Sequence, residues 1–126
     1  MHDDLHALEQ RWGLAIQSAG FGVWDLDLAA QLVHYPREWK ALLGYPATDT
    51  PDPPSVWRAR VHPDDLAPML AAQQRHLSGA SPHYEAEFRL RAADGSNRWV
   101  LSRGRVVTRD AQGQPLRMVG TLTDIT

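Results

Sequence analysis

Residues 83–100 read HYEAEFRLRAADGSNRWV. Tyr84, Ala86, Phe88 and Leu90 alternate there with Glu85, Glu87, Arg89 and Arg91. A period of two puts the first set on one face of a strand and the charged set on the other. Asp94-Gly95 then supplies a hairpin turn, because glycine tolerates the left-handed backbone that such turns need. NRWVLSRGRVV (97–107) is the returning strand, DAQGQP (110–115) a second turn, and LRMVGTLTDI (116–125) a third strand. Three long strands joined by short turns predict an antiparallel meander.

Upstream of the meander the pattern changes. Gly20 and Gly22 punctuate the chain, and GVWDLDL (22–28) alternates Trp24, Leu26 and Leu28 with Asp25 and Asp27. AAQ turns this half-buried strand back into LVHY (32–35). Pro36 opens a short helix, PREWKALLGY, that Gly44 stops. Residues 46–54 are rich in Pro, Thr and Asp and read as a loop, and SVWRARV (55–61) as one or two helical turns. HPDDLAPMLAAQQRHLSG (62–79) is the clearest helix. Pro63 suits its first turn, Asp64 and Asp65 complement its dipole, and Ser78-Gly79 ends it. Pro68 predicts a tight or irregular start. Strands, then short helices, then a meander indicate the α+β class.

Residues 1–19 precede this unit, which spans 20–126. Leu5, Leu8, Trp12, Ala15, Ile16 and Ala19 follow one another at spacings of three and four, opposite Glu9, Gln10, Arg11 and Gln17. That is an amphipathic helix, packing on its own domain or against a copy of itself.

Composition narrows the function. The 126 residues make one domain, and a formal net charge of −2 offers no electrostatic basis for binding nucleic acid. No apolar run approaches the roughly 18 residues of a membrane span, so direct membrane contact is not expected. The acidic, amphipathic N-terminus is not a secretory signal. Cysteine is absent, which removes thiolate metal sites and cysteine nucleophiles and fits a reducing, cytoplasmic setting.

Taken in order, GVWDLDL, YPREWKALLGY, VHPDD, YEAEFRLRAADGSNRWV and the closing VGTLTDIT resemble a PAS domain with its C-terminal PAC motif, over residues 20–126. The resemblance implies a five-stranded antiparallel sheet in the order 2-1-5-4-3 with helices on one face. It implies a sensory and dimerisation module of a larger bacterial signalling protein, such as a sensor histidine kinase of a two-component system or a diguanylate cyclase. A homodimer and a C-terminal output domain are the partners it implies. The alternative is a ligand-free scaffold that holds two chains together or recruits another protein.

In this fold a small ligand sits between the sheet and the long helix. Strand parity and comparison with flavin-binding relatives direct inward Trp24 and Leu26, Phe88 and Leu90, Val100, Ser102 and Gly104, and Met118, Gly120 and Leu122. The long helix offers Leu66, Met69, Leu70 and Gln73, with Gln73 and Ser102 as polar anchors. Gly104 and Gly120 remove volume on neighbouring strands, which either opens a cavity or lets a Trp pack closely.

Cofactors test this list. The light-sensing flavin branch of the family forms a cysteine adduct, for which this chain has no residue. Haem-binding relatives place an axial His on the long helix; His76 is the one candidate, at the margin of the buried stripe, and haem is not expected. His62 belongs to the helix entry. His34 and His83 have no metal-ligand spacing, so no metal site is expected. The paired carboxylates Asp25/Asp27 and Glu85/Glu87 fall on the outer face, where Glu85, Glu87, Arg89, Arg91, Arg103 and Arg105 read as cross-strand ion pairs. No nucleophile–base motif or phosphate loop is present, so no enzyme is expected.

On that outer face Trp99, Leu101, Val119 and Val23 form an apolar patch. Leu5, Leu8, Trp12 and Ile16 of the N-terminal helix are expected to cover it, within one chain or across a dimer. Asp124, Ile125 and Thr126 form the expected signal junction. Asp124 either caps a following helix or pairs with an arginine of the neighbouring strand.

Overall fold

The computed structural model describes residues 21–126. The expected helix at 1–19, with Leu5, Leu8, Trp12 and Ile16, lies outside the described residues. Strands β1 (Phe21–Asp27), β2 (Leu32–His34), β3 (Tyr84–Arg91), β4 (Asn97–Arg109) and β5 (Pro115–Asp124) form one sheet in the order β2-β1-β5-β4-β3. Every pairing is antiparallel. Between β2 and β3 lie helices α1 (Arg37–Leu42), α2 (Pro54–Arg58) and α3 (Pro63–Leu77). None of these helices is long and apolar enough to cross a membrane.

Turn chemistry fixes the meander. Gly95 (φ 88°) and Gly113 (φ 80°) take the left-handed backbone at the two reversals. Asp94 Oδ1 accepts from the Ser96 N–H at 2.9 Å, and Asp110 Oδ1 accepts from Gln112 and Gln114 N–H groups at the same distance. The resulting register puts Trp24 beside Gly120, Gly120 beside Gly104, and Gly104 beside Tyr84. That row crosses four strands, and the Trp24 indole lies along it. A Cβ at position 104 would stand 2.6 Å from the indole Cη2. The two glycines therefore form a trough that Trp24 fills. Its Nε1–H donates to the Thr121 carbonyl (3.1 Å), and its ring meets Tyr84 edge-on at 6.2 Å.

Connecting segments bridge each sheet edge locally. On the β2 side Asp52 exchanges backbone hydrogen bonds with Val33 (2.8 and 2.9 Å). On the β3 side Val61 bridges Leu90, and the His62 N–H donates to the Arg89 carbonyl at 2.9 Å. The 46–54 loop is thus pinned, and a buried lysine helps to pin it. Lys40, 2% exposed, donates to Thr48 Oγ1 (3.1 Å) and the Thr50 carbonyl (2.9 Å) and pairs with Asp52 at 3.3 Å.

Helix α3 starts on His62, whose Nδ1 accepts from the Asp64 N–H at 3.1 Å. It runs unbroken through Pro68, so the irregular start expected there is not seen. Pro68 lacks the N–H that would bond the carbonyl of Asp64, an exposed residue whose carbonyl lies in a solvated first turn. Asp65 does more than complement the dipole. It accepts from the Arg89 N–H, Nε–H and Nη2–H, each at 2.9 Å, and so fastens the helix to β3. Arg89 thereby departs from the cross-strand pairing expected for it. Glu85 with Arg103 (3.0 Å) is the cross-strand pair that forms within the expected charged set, among the described residues.

Candidate functional site

A cavity of about 70 Å³ lies between the inner sheet face and helices α2 and α3. Trp24, Leu26, Met69, Gln73, Phe88, Leu90 and Ser102 stand on its wall, as parity and helix periodicity predict. Several other expected residues do not. Val100, Met118 and Leu122 are at most 1% exposed and are consumed in packing the sheet against the helices. Gly104 and Gly120 lie beneath the Trp24 indole, which takes the space they vacate. Leu66 packs on the core, and Leu70 is half-buried away from the opening. The two α3 residues on the wall, Met69 and Gln73, are one helical turn apart.

Sequence reading missed the opposite wall. Tyr35, Trp57 and Arg58 come from β2's end and from α2, elements too short to show a period. Their rings fit together: Tyr35 and Trp57 stack with centroids 4.1 Å apart, and Trp57 Nε1–H donates to Asp52 at 3.2 Å. Tyr84 carried a usable signal, since it shares the parity of Phe88 and Leu90. Burial pushes the Tyr84 phenol up to about 12, against a smaller opposing effect of the Ser102 hydroxyl. Burial, with Tyr84 adding to it, also pushes Tyr35 upward. Both phenols therefore stay protonated and present O–H donors.

Cofactor requirements can be set against this geometry. His76 is not at the margin of the buried stripe; in the last turn of α3 it is 5% exposed. Its Nε2 accepts from the Val106 N–H and its Nδ1–H donates to the Ser81 carbonyl, each at 2.9 Å. With both nitrogens engaged away from the cavity, His76 does not fit the role of a haem ligand. A space of about 70 Å³ is also far below the several hundred Å³ that a flavin or haem needs. Among the described residues no group of three or more His, Asp or Glu is placed to hold a metal.

On the outer face Trp99 is 41% exposed, and the Arg89 guanidinium lies 4.9 Å over its ring. Val23 is exposed, and Leu101 and Val119 are half-buried. At the end of β5 the arginine pair considered for Asp124 forms, beside a local turn onto Thr126. Its Oδ2 pairs with Arg98 at 2.7 Å, and its Oδ1 accepts from the Thr126 N–H at 2.9 Å. Desolvation opposes ionisation, but the hydrogen bonds of Thr126 and Arg98 outweigh it and hold this carboxyl below the usual range. The Ile125 N–H donates to the Trp99 carbonyl and the Trp99 N–H donates to Thr126 Oγ1, each at 2.9 Å. The last residues are thus clipped to the patch-bearing strand β4.

A family model described as the PAS fold matches residues 32–122. The chain belongs to the PAS family. The crystal structure of a sensory box histidine kinase/response regulator from Burkholderia thailandensis is similar, with a TM-score of 0.76 and 34% identity, covering 92% of this PAS chain and 85% of that one. The N-terminal domain of a diguanylate cyclase with PAS/PAC sensor from Marinobacter aquaeolei shares the fold, with a TM-score of 0.71 at 23% identity over 83% of this chain and 94% of that one. Sensor protein FixL of Bradyrhizobium diazoefficiens is 26% identical over 92% of this chain. The chain spans only 22% of that protein's length. An uncharacterized protein of Pseudomonas chlororaphis is 32% identical over 96% of this chain, which spans 49% of it.

Proposed function

We propose that this PAS domain is the sensory module of a larger cytoplasmic signalling protein. A small molecule entering the cavity biases the packing of sheet and helices, and the change reaches an output domain through Asp124, Ile125 and Thr126. One observation carries this reading. Phe88, on the cavity wall, stands in register with Val100, and Val100 with Asp124. A side chain that senses occupancy is thus two strands from the clipped end of β5. Names of similar proteins, a sensory box histidine kinase and a PAS/PAC diguanylate cyclase, support the context. To test it, freshly purified protein is examined by native mass spectrometry and by thermal shift against a metabolite panel. A co-purifying small molecule or a saturable rise in melting temperature is expected; a ligand-free species that no compound stabilises would overturn the reading.

A second reading rests on Trp99. An exposed Trp beside Leu101 and Val119 suits a homodimer contact on the outer face. The N-terminal residues Leu5, Leu8, Trp12 and Ile16 are proposed to share it.

A further inference from the structure

The cavity wall is unusual in its polar groups. Tyr35, Tyr84 and Ser102 contribute hydroxyls, Gln73 an amide and Arg58 a guanidinium, while no carboxylate among the described residues faces the space. Burial keeps both phenols in the O–H form. Arg58 is exposed at the cavity's rim, and no acidic residue among those described pairs with it. Neighbouring cations differ. Arg60 stacks over Tyr45 at 3.6 Å, and Lys40 is consumed by Asp52. Asp52 lies behind Trp57 and is neutralised by Lys40, so it does not repel an anion at the rim. The hydroxyls and the Gln73 amide both donate and accept, whereas the Arg58 guanidinium only donates; with no anion among the described lining residues it favours a negatively charged ligand group. Aromatic walls of Trp57 and Phe88 favour an apolar body, and about 70 Å³ restricts that body to a short aliphatic chain, since a benzene ring needs a cavity of about 150 Å³.

We infer that the cavity binds a small monocarboxylic acid, its apolar body among the aromatic rings and its carboxylate turned toward Arg58. This rests on the sensory reading proposed above and names the chemistry of the molecule sensed. Inorganic phosphate carries the charge without the apolar body and serves as a control.

Calorimetric titration of the full chain with propionate and isobutyrate, against propionamide and isobutyramide, tests the inference. One charge-assisted contact predicts that the acids bind about tenfold more tightly than their amides. Arg58→Gln, a substitution at an exposed position, is expected to remove that difference while leaving amide affinity and melting temperature unchanged. Ser102→Ala is expected to weaken both members of each pair. Amides binding as tightly as acids, an acid preference that survives Arg58→Gln, or phosphate binding as well as isobutyrate would each overturn the carboxylate assignment. If only other compounds of the metabolite panel stabilise the protein, the assignment falls and the sensory reading stands. If nothing binds, both fall.

Discussion

One methyl group added to Gly104 meets the Trp24 indole and the Val119 carbonyl, the latter at 2.7 Å. The row Trp24–Gly120–Gly104–Tyr84 has no slack, because the indole cannot move off the trough without losing its Thr121 hydrogen bond. Gly104→Ala is expected to destabilise the fold by about 1–3 kcal/mol, the usual cost of overpacking, and to change Trp fluorescence. Denaturant unfolding checks it; wild-type stability would refute the filled trough. Asp65 offers a pH signature. The Arg89 hydrogen bonds hold its carboxyl down to about 2, from 3.8 when unconstrained. A depressed carboxyl stabilises the fold above its unfolded value, and that contribution is lost as pH falls from about 4 toward 2. Asp65→Asn should lower stability at neutral pH by about 1.5–3 kcal/mol, the range for hydrogen bonds to a charged group. It should also flatten the acid limb, as pH-dependent unfolding would show.

Strands and turns were the legible elements. β3 shows strict alternation, Asp94-Gly95 marks its end, and its parity directs Phe88 and Leu90 inward; both parities of β4 are partly apolar, so the inward direction of Val100, Ser102, Met118 and Leu122 came from the family resemblance. Parity cannot tell a cavity wall from a packed core, because both are apolar and inward. That is why Met118 and Leu122 were expected at the cavity and lie in the packing instead. In residues 35–61 the two short helices and the loop were legible but their contacts were not: α1 and α2 are too short for a period to show their buried faces, and the loop between them is held by side-chain and edge-strand contacts. Lys40 illustrates this, since a lysine on a six-residue helix reads as exposed and is the buried anchor of that loop. Lys40→Met is expected to release residues 48–52 and weaken the Val33–Asp52 bridge. Hydrogen exchange should then show faster exchange at the Asp52 and Val33 amides; unchanged protection would show that the bridge stands without the lysine.

For the whole molecule, two surfaces compete for the role of output. On the proposed sensory reading the cavity answers to small molecules; on the second reading the outer face around Trp99 answers to another protein surface. They meet in β4, whose Ser102 faces the cavity and whose Trp99 backbone holds Ile125 and Thr126. Trp99→Asp is expected to disrupt self-association, read by light scattering, without altering cavity binding. An unchanged mass in solution would remove the outer face from the account.

The most direct test of the central claim follows backbone amide resonances while the protein is titrated with the panel compound that raises its melting temperature most. The account predicts saturable shifts at Gln73, Phe88 and Ser102, with smaller ones at Asp124 and Thr126. Shifts confined to exterior residues such as Arg91 and Gln112, with none at the cavity wall, would contradict it.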